Sequence, residues 1–442
     1  MVQRGQGTTL KERVEIGERW QAKQTDREIA AAMGRPYWTV RKWRRKFERE
    51  GRSGLASRMG RPSTGALGHY PDIVRDTVRQ MRKDHPGWGA TTILTELKDD
   101  PRVAGLQLPS RSRIAAFLKQ EKCTHKYERH SELPQPPASG AQRPHEEWEV
   151  DAQGVIKVPD LGKVTVINIS DLVSRLKVDS FACIHTSHPN TSDYQLILRR
   201  SFLKYGLPRR ITLDHDSVFF DNVCASPFPT ILHLWLIALG IEVYFIEQTP
   251  PAEHSVIERT HQTVTQQAIQ GQVFADDAAL QKRLAERLAF LNHRFPCRSL
   301  GGRPPLLAYP EAQHSGRCYR LEWEEALLDL QRVYDYLARG RWFRRTGSLG
   351  QLSLGAQRYG VGQDFREQTM EITFDPQTRE FVCLPADACQ EIRLPIRGLA
   401  TSDLMGELHP LDTLPAYQLA LPFSRSTWRQ MALCEDLTGT TL

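Results

Sequence analysis

The chain has 442 residues, 40% of them hydrophobic and 25% charged, with eight cysteines and a net charge of +7. That length exceeds what one core serves, so three or four domains are expected. The longest apolar run, 231–241, contains His233 and falls short of the roughly 18 residues of a membrane span. The first residues lack an apolar signal core and no two cysteines form a CxxC pair, which argues for reduced thiols in a cytoplasmic protein.

The charge is unevenly placed. Residues 1–130 hold 28 Lys and Arg against 15 Asp and Glu, and residues 131–442 carry a net −6. A basic front on a mildly acidic body implies a polyanion partner, and nucleic acid is favoured over a membrane surface because the cations sit on compact helices. Residues 8–50 read as three helices. Leu10, Val14, Ile16 and Trp20 form an apolar stripe on the first. Thr25 or Asp26 caps the second, which stops at Gly34. The third starts at Pro36 with Val40, Trp43 and Phe47 on one face and Arg41, Lys42, Arg44, Arg45 and Lys46 on the others. Helix, glycine turn and basic helix make a helix-turn-helix suited to a major groove; the plainer reading is a bundle with a solvated basic face.

Residues 51–69 show no periodicity and read as a basic linker, either a plain tether or a minor-groove arm with Arg58 and Arg61 as its probes. A second helix-turn-helix is expected over 70–122. Its helix from Asp72 to Lys83 leads to the turn His85–Gly89, a short helix opened by Thr91 or Thr92, and a helix capped by Ser110 that exposes Arg111, Arg113 and Lys119. Proline-bearing residues 123–145 read as a linker.

From Trp148 the period becomes that of strands. These are predicted at 148–154, 162–170, 176–184, 209–213 and 241–246, with helices near 191–205, 228–239, 255–271 and 277–292. That order describes a mixed five-stranded sheet flanked by helices over 146–310. A helix from Leu321 to Arg339 then forms a basic linker over 320–346. Short strands over 347–398 suggest a small β-barrel. The tail, 399–442, is unassigned.

Three carboxylates stand out: Asp151 on the first strand, Asp214 at the end of the fourth, and Glu258 at the start of a helix. Two strand carboxylates and one helix carboxylate can hold two divalent cations about 4 Å apart, the arrangement that phosphodiester chemistry uses. Asp216 is the rival for Asp214. Glu253 is the rival for Glu258, and five residues along a helix place it roughly 140° away. Asp171 and Asp179 read as loop or surface charges. His261 reads as helix-face packing or a DNA contact, and Trp148, Trp235 and Trp342 as packing residues.

Five motifs then occur in order. They are Trp148–Asp151; Asp214-His215-Asp216-Ser217-Val218-Phe219; Pro251 through Glu258-Arg259-Thr260-His261; Asn292-x-Arg294 with Gly302-x-Pro304-Pro305; and Gly350-x-Leu352-x-Leu354 with Tyr359-x-Val361-Gly362. Together with His85-Pro86 and Gly89, the pattern resembles the integrase-type DDE transposases of bacterial insertion sequences, related to retroviral integrases. The chain departs from the family pattern at His215-Asp216 and His254-Ser255, each replacing Asn-Gly. The spacing from Asp214 to Glu258 is also longer than in the retroviral enzymes, implying an extended loop near 220–232.

The resemblance implies a multidomain protein: all-α helix-turn-helix units, an α/β RNase H-like core with the mixed five-stranded sheet, and a small SH3-like β-barrel. It implies a DNA transposase that binds terminal inverted repeats and carries out hydrolysis and strand transfer. Asp151, Asp214 and Glu258 would be the catalytic and metal-binding residues, and Arg259 a further DNA contact. The implied cofactor is a pair of Mg²⁺ ions, with Mn²⁺ as a substitute. Implied partners are double-stranded DNA, a second copy of the chain or a larger oligomer, and an ATPase helper, without membrane, in a prokaryotic nucleoid. The alternatives are a non-enzymatic DNA-binding regulator or domesticated transposase, and a nuclease acting on RNA–DNA hybrids.

Overall fold

A computed structural model describes residues 8–56, 65–124, 140–184, 188–221, 225–246, 255–385 and 390–406. The chain divides into two compact units with the boundary between His69 and Tyr70.

The first unit is a three-helix domain of α1 (Leu10–Gln21), α2 (Asp26–Met33) and α3 (Tyr37–Glu50). Thr9 and Thr25 each form a capping box, with Glu12 and Glu28 reaching back to the cap N–H, so orphan donors at both helix starts are satisfied. Gly34 ends α2 in the left-handed conformation, φ 59°, which is the turn before the basic helix. Ile16, Ile29, Val40, Trp43, Phe47 and Leu55 form the core. Leu55 lies beyond the expected boundary at residue 50. The chain after α3 winds into a 3-10 turn, Gly51–Leu55, that buries it, so the domain extends through this turn. Leu10, expected in the apolar stripe, is 56% exposed because it opens the helix beyond the reach of this core.

The second unit begins with α4 (Asp72–Asp84), α5 (Ala90–Leu97) and α6 (Arg111–Gln120). Ser110 caps α6 as expected, whereas α5 starts at Gly89, ahead of the expected threonines. These helices are fastened to the rest of the unit. Trp88 Nε1 donates to the Gln267 carbonyl at 3.2 Å, Gln267 Nε2 donates to Thr92 Oγ1 at 2.8 Å, and Arg287 pairs with Glu96 at 2.6 Å.

The central sheet contains β1 (Glu147–Val158), β2 (Gly162–Asp171), β3 (Lys177–Cys183), β4 (Arg210–Leu213) and β5 (Glu242–Phe245) in the order β3-β2-β1-β4-β5. The first three pair antiparallel, and β4 and β5 join parallel to β1. Helices α7 (Thr191–Tyr205) and α8 (Ile231–Ala238) cover the face that presents Trp148, Val150, Ile167 and Ile169. Helices α9 (Ser255–Val264) and α10 (Asp277–His293) cover the face that presents Val164 and Val166. An irregular register between Gln153 and Ile156 changes the face, which puts Val158 in the second cluster. Helix α9 ends in a π turn, Thr265–Ile269. Trp148, Trp235 and Trp342 are buried packing residues, as expected.

Asp171 and Asp179 are buried, contrary to the surface reading. Asp171 accepts from His145 N at 2.6 Å and from Ser174 N at 2.7 Å, which builds the β2–β3 turn. Asp179 pairs with buried Arg200 at 2.9 Å. Each carboxylate found donors on a distant or turn segment, which sequence spacing does not reveal.

The remainder forms α11 (Pro305–Ala308), α12 (Glu324–Leu327), α13 (Leu330–Leu337), β6 (Trp342–Arg345), β7 (Gln351–Leu354), β8 (Gln357–Gly360), β9 (Thr369–Asp375), β10 (Glu380–Pro385), β11 (Ile392–Pro395) and α14 (Thr401–Met405). The single helix expected from Leu321 to Arg339 is broken at Leu328 and Asp329. Leu328 turns extended, and the Asp329 side chain caps α13 by accepting from Gln331 N. The basic run expected in that linker is strand β6, paired with β9. The expected small barrel is an open four-stranded sheet, β11-β10-β9-β6, and a separate β7-β8 hairpin, with no ladder closing them among the described residues. Four-residue strands give few ladder positions for a staggered closure. The hairpin buries Leu352, Leu354 and Tyr359 in the cluster that also holds Trp148 and Trp235. Residues 407–442 lie outside the described residues.

Candidate active site

Position 151 is set by the sheet. β1 is its central strand, and Asp151 is the cross-strand partner of Asn168 in β2. On the other side Glu147, Trp148 and Glu149 pair with Arg210, Ile211 and Thr212. That parallel pairing ends at Glu149 and Thr212, two residues short of Asp151 on one strand and of Asp214 on the other. Asp214 directly follows β4, and its Oδ1 accepts from Asp216 N at 3.1 Å. Asp216 itself accepts from Val218 N at 3.0 Å and shapes the following turn.

Burial raises the Tyr194 hydroxyl above its ordinary range, and the charges of Asp216, Asp151 and Asp214 raise it further. Tyr194 lies in α7 and is 1% exposed, so three carboxylates act on one buried phenol.

Helix α9 crosses the opposite face of β1 and β2, where three contacts fix it. Ile257 N donates to Glu149 Oε2 at 2.9 Å, Ser170 Oγ and Thr260 Oγ1 lie 2.7 Å apart, and His261 Nε2 lies 2.9 Å from Asp151 Oδ2. The first of these satisfies an orphan N–H in the first turn of the helix. Burial pushes the Glu149 carboxyl up to about 7, against the pull of the Ile257 N–H. Asn168 Nδ2 donates to His261 Nδ1 at 2.8 Å, and Ser180 Oγ donates to Asn168 Oδ1. With Nδ1 accepting, Nε2 carries the ring proton and donates to Asp151, so a buried relay orients this carboxylate. Glu258 sits one turn before His261 and is exposed. Glu253 lies outside the described residues.

Glu149, Asn168 and Tyr194 were not singled out by sequence, and His261 was read only as packing or a DNA contact. One signal was present: Glu149 shares a strand face with Asp151, and Asn168 interrupts an apolar strand.

The donor chemistry fits a hard divalent cation, since Asp151, Asp214 and Glu258 offer only carboxylate oxygens. Among the described residues, however, no three His, Cys, Asp or Glu side chains are gathered closely enough to hold an ion. β1, the end of β4 and α9 lie together, while the Glu258 side chain stands on the exposed flank of its helix.

The basic residues of α3 are placed differently from one another. Lys42 and Arg45 are exposed, Arg41 lies over the ring of the 72% exposed Trp38, and Lys46 lies 5.2 Å from the Trp43 ring. Arg44 is engaged with Asp26 at 3.1 Å and Glu48 at 2.6 Å. Arg111, Arg113 and Lys119 are exposed on α6, and Arg113 lies over Tyr70. Arg259 is exposed and donates to Gln262 Oε1 at 2.6 Å. Arg58 and Arg61 lie outside the described residues. No described helix is long and apolar enough to cross a membrane.

Residues 8–56 match the homeodomain-like domain family. Among solved structures, the chain is similar to the catalytic core domain of BIV integrase at 17% identity, covering 38% of this chain and 95% of that one, with a TM-score of 0.28. It is similar to a chain of the simian T-cell lymphotropic virus intasome in complex with a PP2A regulatory subunit at 12% identity, covering 72% and 96%, TM-score 0.32. The HTLV-2 integrase catalytic core in complex with magnesium matches at 14% identity, covering 38% and 97%, TM-score 0.27.

Proposed function

We propose that this chain is a DNA transposase, a polynucleotidyl transferase that binds element ends and joins them to target DNA. The observation that supports the reading is Asp151 on the central strand, two residues beyond the Glu149–Thr212 pairing that leads towards Asp214, and hydrogen-bonded to His261 one turn from Glu258. The sheet order, three antiparallel strands followed by two parallel ones, supports an RNase H-like core. The homeodomain-like match supports major-groove binding by α3.

Asp151 and Asp214 would hold one magnesium ion, and Asp151 with Glu258 a second. Bound there, the ions would supply the activation of water or a 3′-hydroxyl and the stabilisation of the leaving oxygen. His261, fixed by Asn168, keeps one Asp151 oxygen oriented, and the buried Glu149 carboxyl holds the first turn of the helix that carries Glu258. Arg259, next to Glu258, is placed for a DNA phosphate. Two element ends require two such sites, hence at least two copies of the chain on DNA.

Purified protein with Mg²⁺, a labelled terminal-repeat duplex and a plasmid target tests this. Joined products are expected from the wild type and from neither Asp151→Asn nor Glu258→Gln, with duplex binding intact in both. Full joining by either variant sinks the assignment. A second reading, a non-enzymatic DNA-binding protein whose core only assembles, draws support from the ungathered third carboxylate. It predicts DNA binding with no joined product from any form.

A further inference from the structure

We infer that the cleft between the helices of residues 72–120 and the central sheet domain is a nucleic-acid site of its own, shaped to take the sugar-phosphate backbone of a DNA strand beside Glu258. The cleft has a volume of about 890 Å³, and Arg111, Arg175, Lys177, Arg259 and Arg298 line it with no Asp or Glu among the lining residues. None of the five forms an ion pair with a described carboxylate; Lys177 donates to Thr260 Oγ1 at 2.7 Å and Arg259 to Gln262. Five positive charges thus share one concave space that no carboxylate lines. Burial pushes the Lys177 ammonium down to about 8, Cys297 and Glu149 pull it up, and Arg175 and Arg259 push it down further. An anion in the cleft would relieve that repulsion.

Two features of the backbone agree with an anion. The start of α5 has no side-chain cap, and Gly89 through Thr91 line the same space, where a helix N-terminus favours an anion. Arg175 is held at φ 62°, a strained conformation for arginine, in the turn that buried Asp171 organises. The docking contacts of Trp88, Thr92 and Glu96 keep the walls together. The occupant's identity as DNA rests on the proposed function, because the cleft runs along α9 through Arg259 and Thr263, next to Glu258.

A native reporter sits in the wall. Cys297 is a free, part-exposed thiol lining the cleft, and Cys123 is a free, part-exposed thiol that does not line it. Iodoacetamide alkylation of the full chain, resolved by peptide mass spectrometry, is compared with and without a saturating random-sequence duplex. DNA is expected to slow alkylation of Cys297 severalfold, to leave Cys123 unchanged, and to lose this effect in high salt. An Arg175→Glu/Arg298→Glu variant, checked for folding by its melting curve, is expected to lose the protection. It should also lower the slope of log affinity against log salt by roughly 1.8, for two phosphate contacts. Unchanged Cys297 alkylation in wild type at saturating DNA overturns the inference, as does full protection in the folded variant. The readout is independent of catalysis. Protection without joined products would sink the transferase reading alone, and joined products without protection would sink the cleft alone.

Discussion

His233 shows how one side chain can tie stability to pH. It is 6% exposed at the third position after its cap, Thr230, and packs edge-on against Phe245 and Tyr336. Burial pushes its imidazole from the ordinary 6.5 down to about 4. The unfolded chain therefore takes up a proton near pH 6.5 that the folded chain refuses until near pH 4. This contribution is fully present above 6.5 and is lost as pH falls through that window. Between about pH 7.5 and about pH 5 the loss should be about 2 kcal/mol. Replacing the imidazole by a ring of similar shape, His233→Phe, should flatten that part of the stability–pH curve in urea unfolding. An unchanged slope would show that His233 is not the group responsible. At the same scale, Asp151 was legible as a candidate because an aromatic-flanked carboxylate opens a strand region. Its partners Asn168 and His261 were not, because they lie 17 and 110 positions away in sequence and meet it only when β2 and α9 pack against β1.

The helices and strands themselves were largely written in short windows of sequence. Capping threonines, Gly34, Ser110 and the β-branched run of β2 act within one or two turns or a few ladder positions, so the predicted elements and the observed ones nearly coincide. The failures were also at this scale. The helix expected across 321–339 breaks because the Asp329 N–H donates to the Ala238 carbonyl at 3.0 Å, a contact made only by packing. The approach of α5 to the core gives a direct test of element docking. A Cβ added at Gly87 would lie 2.0 Å from the Gln266 carbonyl oxygen, a backbone atom in the π turn after α9. Gly87→Ala should therefore loosen the helices of 72–120 from the core at a cost of about 1–3 kcal/mol. Faster hydrogen exchange over 84–97, with a lower melting temperature, is the expected result. An unchanged exchange pattern would contradict the tight approach.

Across the whole second unit, one buried charge cluster ties the C-terminal part to the sheet domain. Glu324 is fully buried, pairs with Arg199 at 2.7 Å, accepts from Trp235 Nε1 at 2.8 Å and from the Tyr319 hydroxyl. Glu324→Ala leaves the Arg199 guanidinium buried without that carboxylate, and a loss of about 3–5 kcal/mol is expected in urea unfolding. A loss below 1 kcal/mol, on the order of a surface pair, would mean that water reaches the cluster. The strands after β6 share a hydrophobic cluster with α7 and α8. By itself the sequence determined the kinds of element, their order, the uneven charge and the candidate carboxylates, because caps, periodicity and composition act over a few residues. Only the tertiary structure decided that β4 lies beside β1, that His261 bonds to Asp151, and that five cations face one cleft. Those facts depend on which distant surfaces bury one another, and no local stretch of chain carries that information.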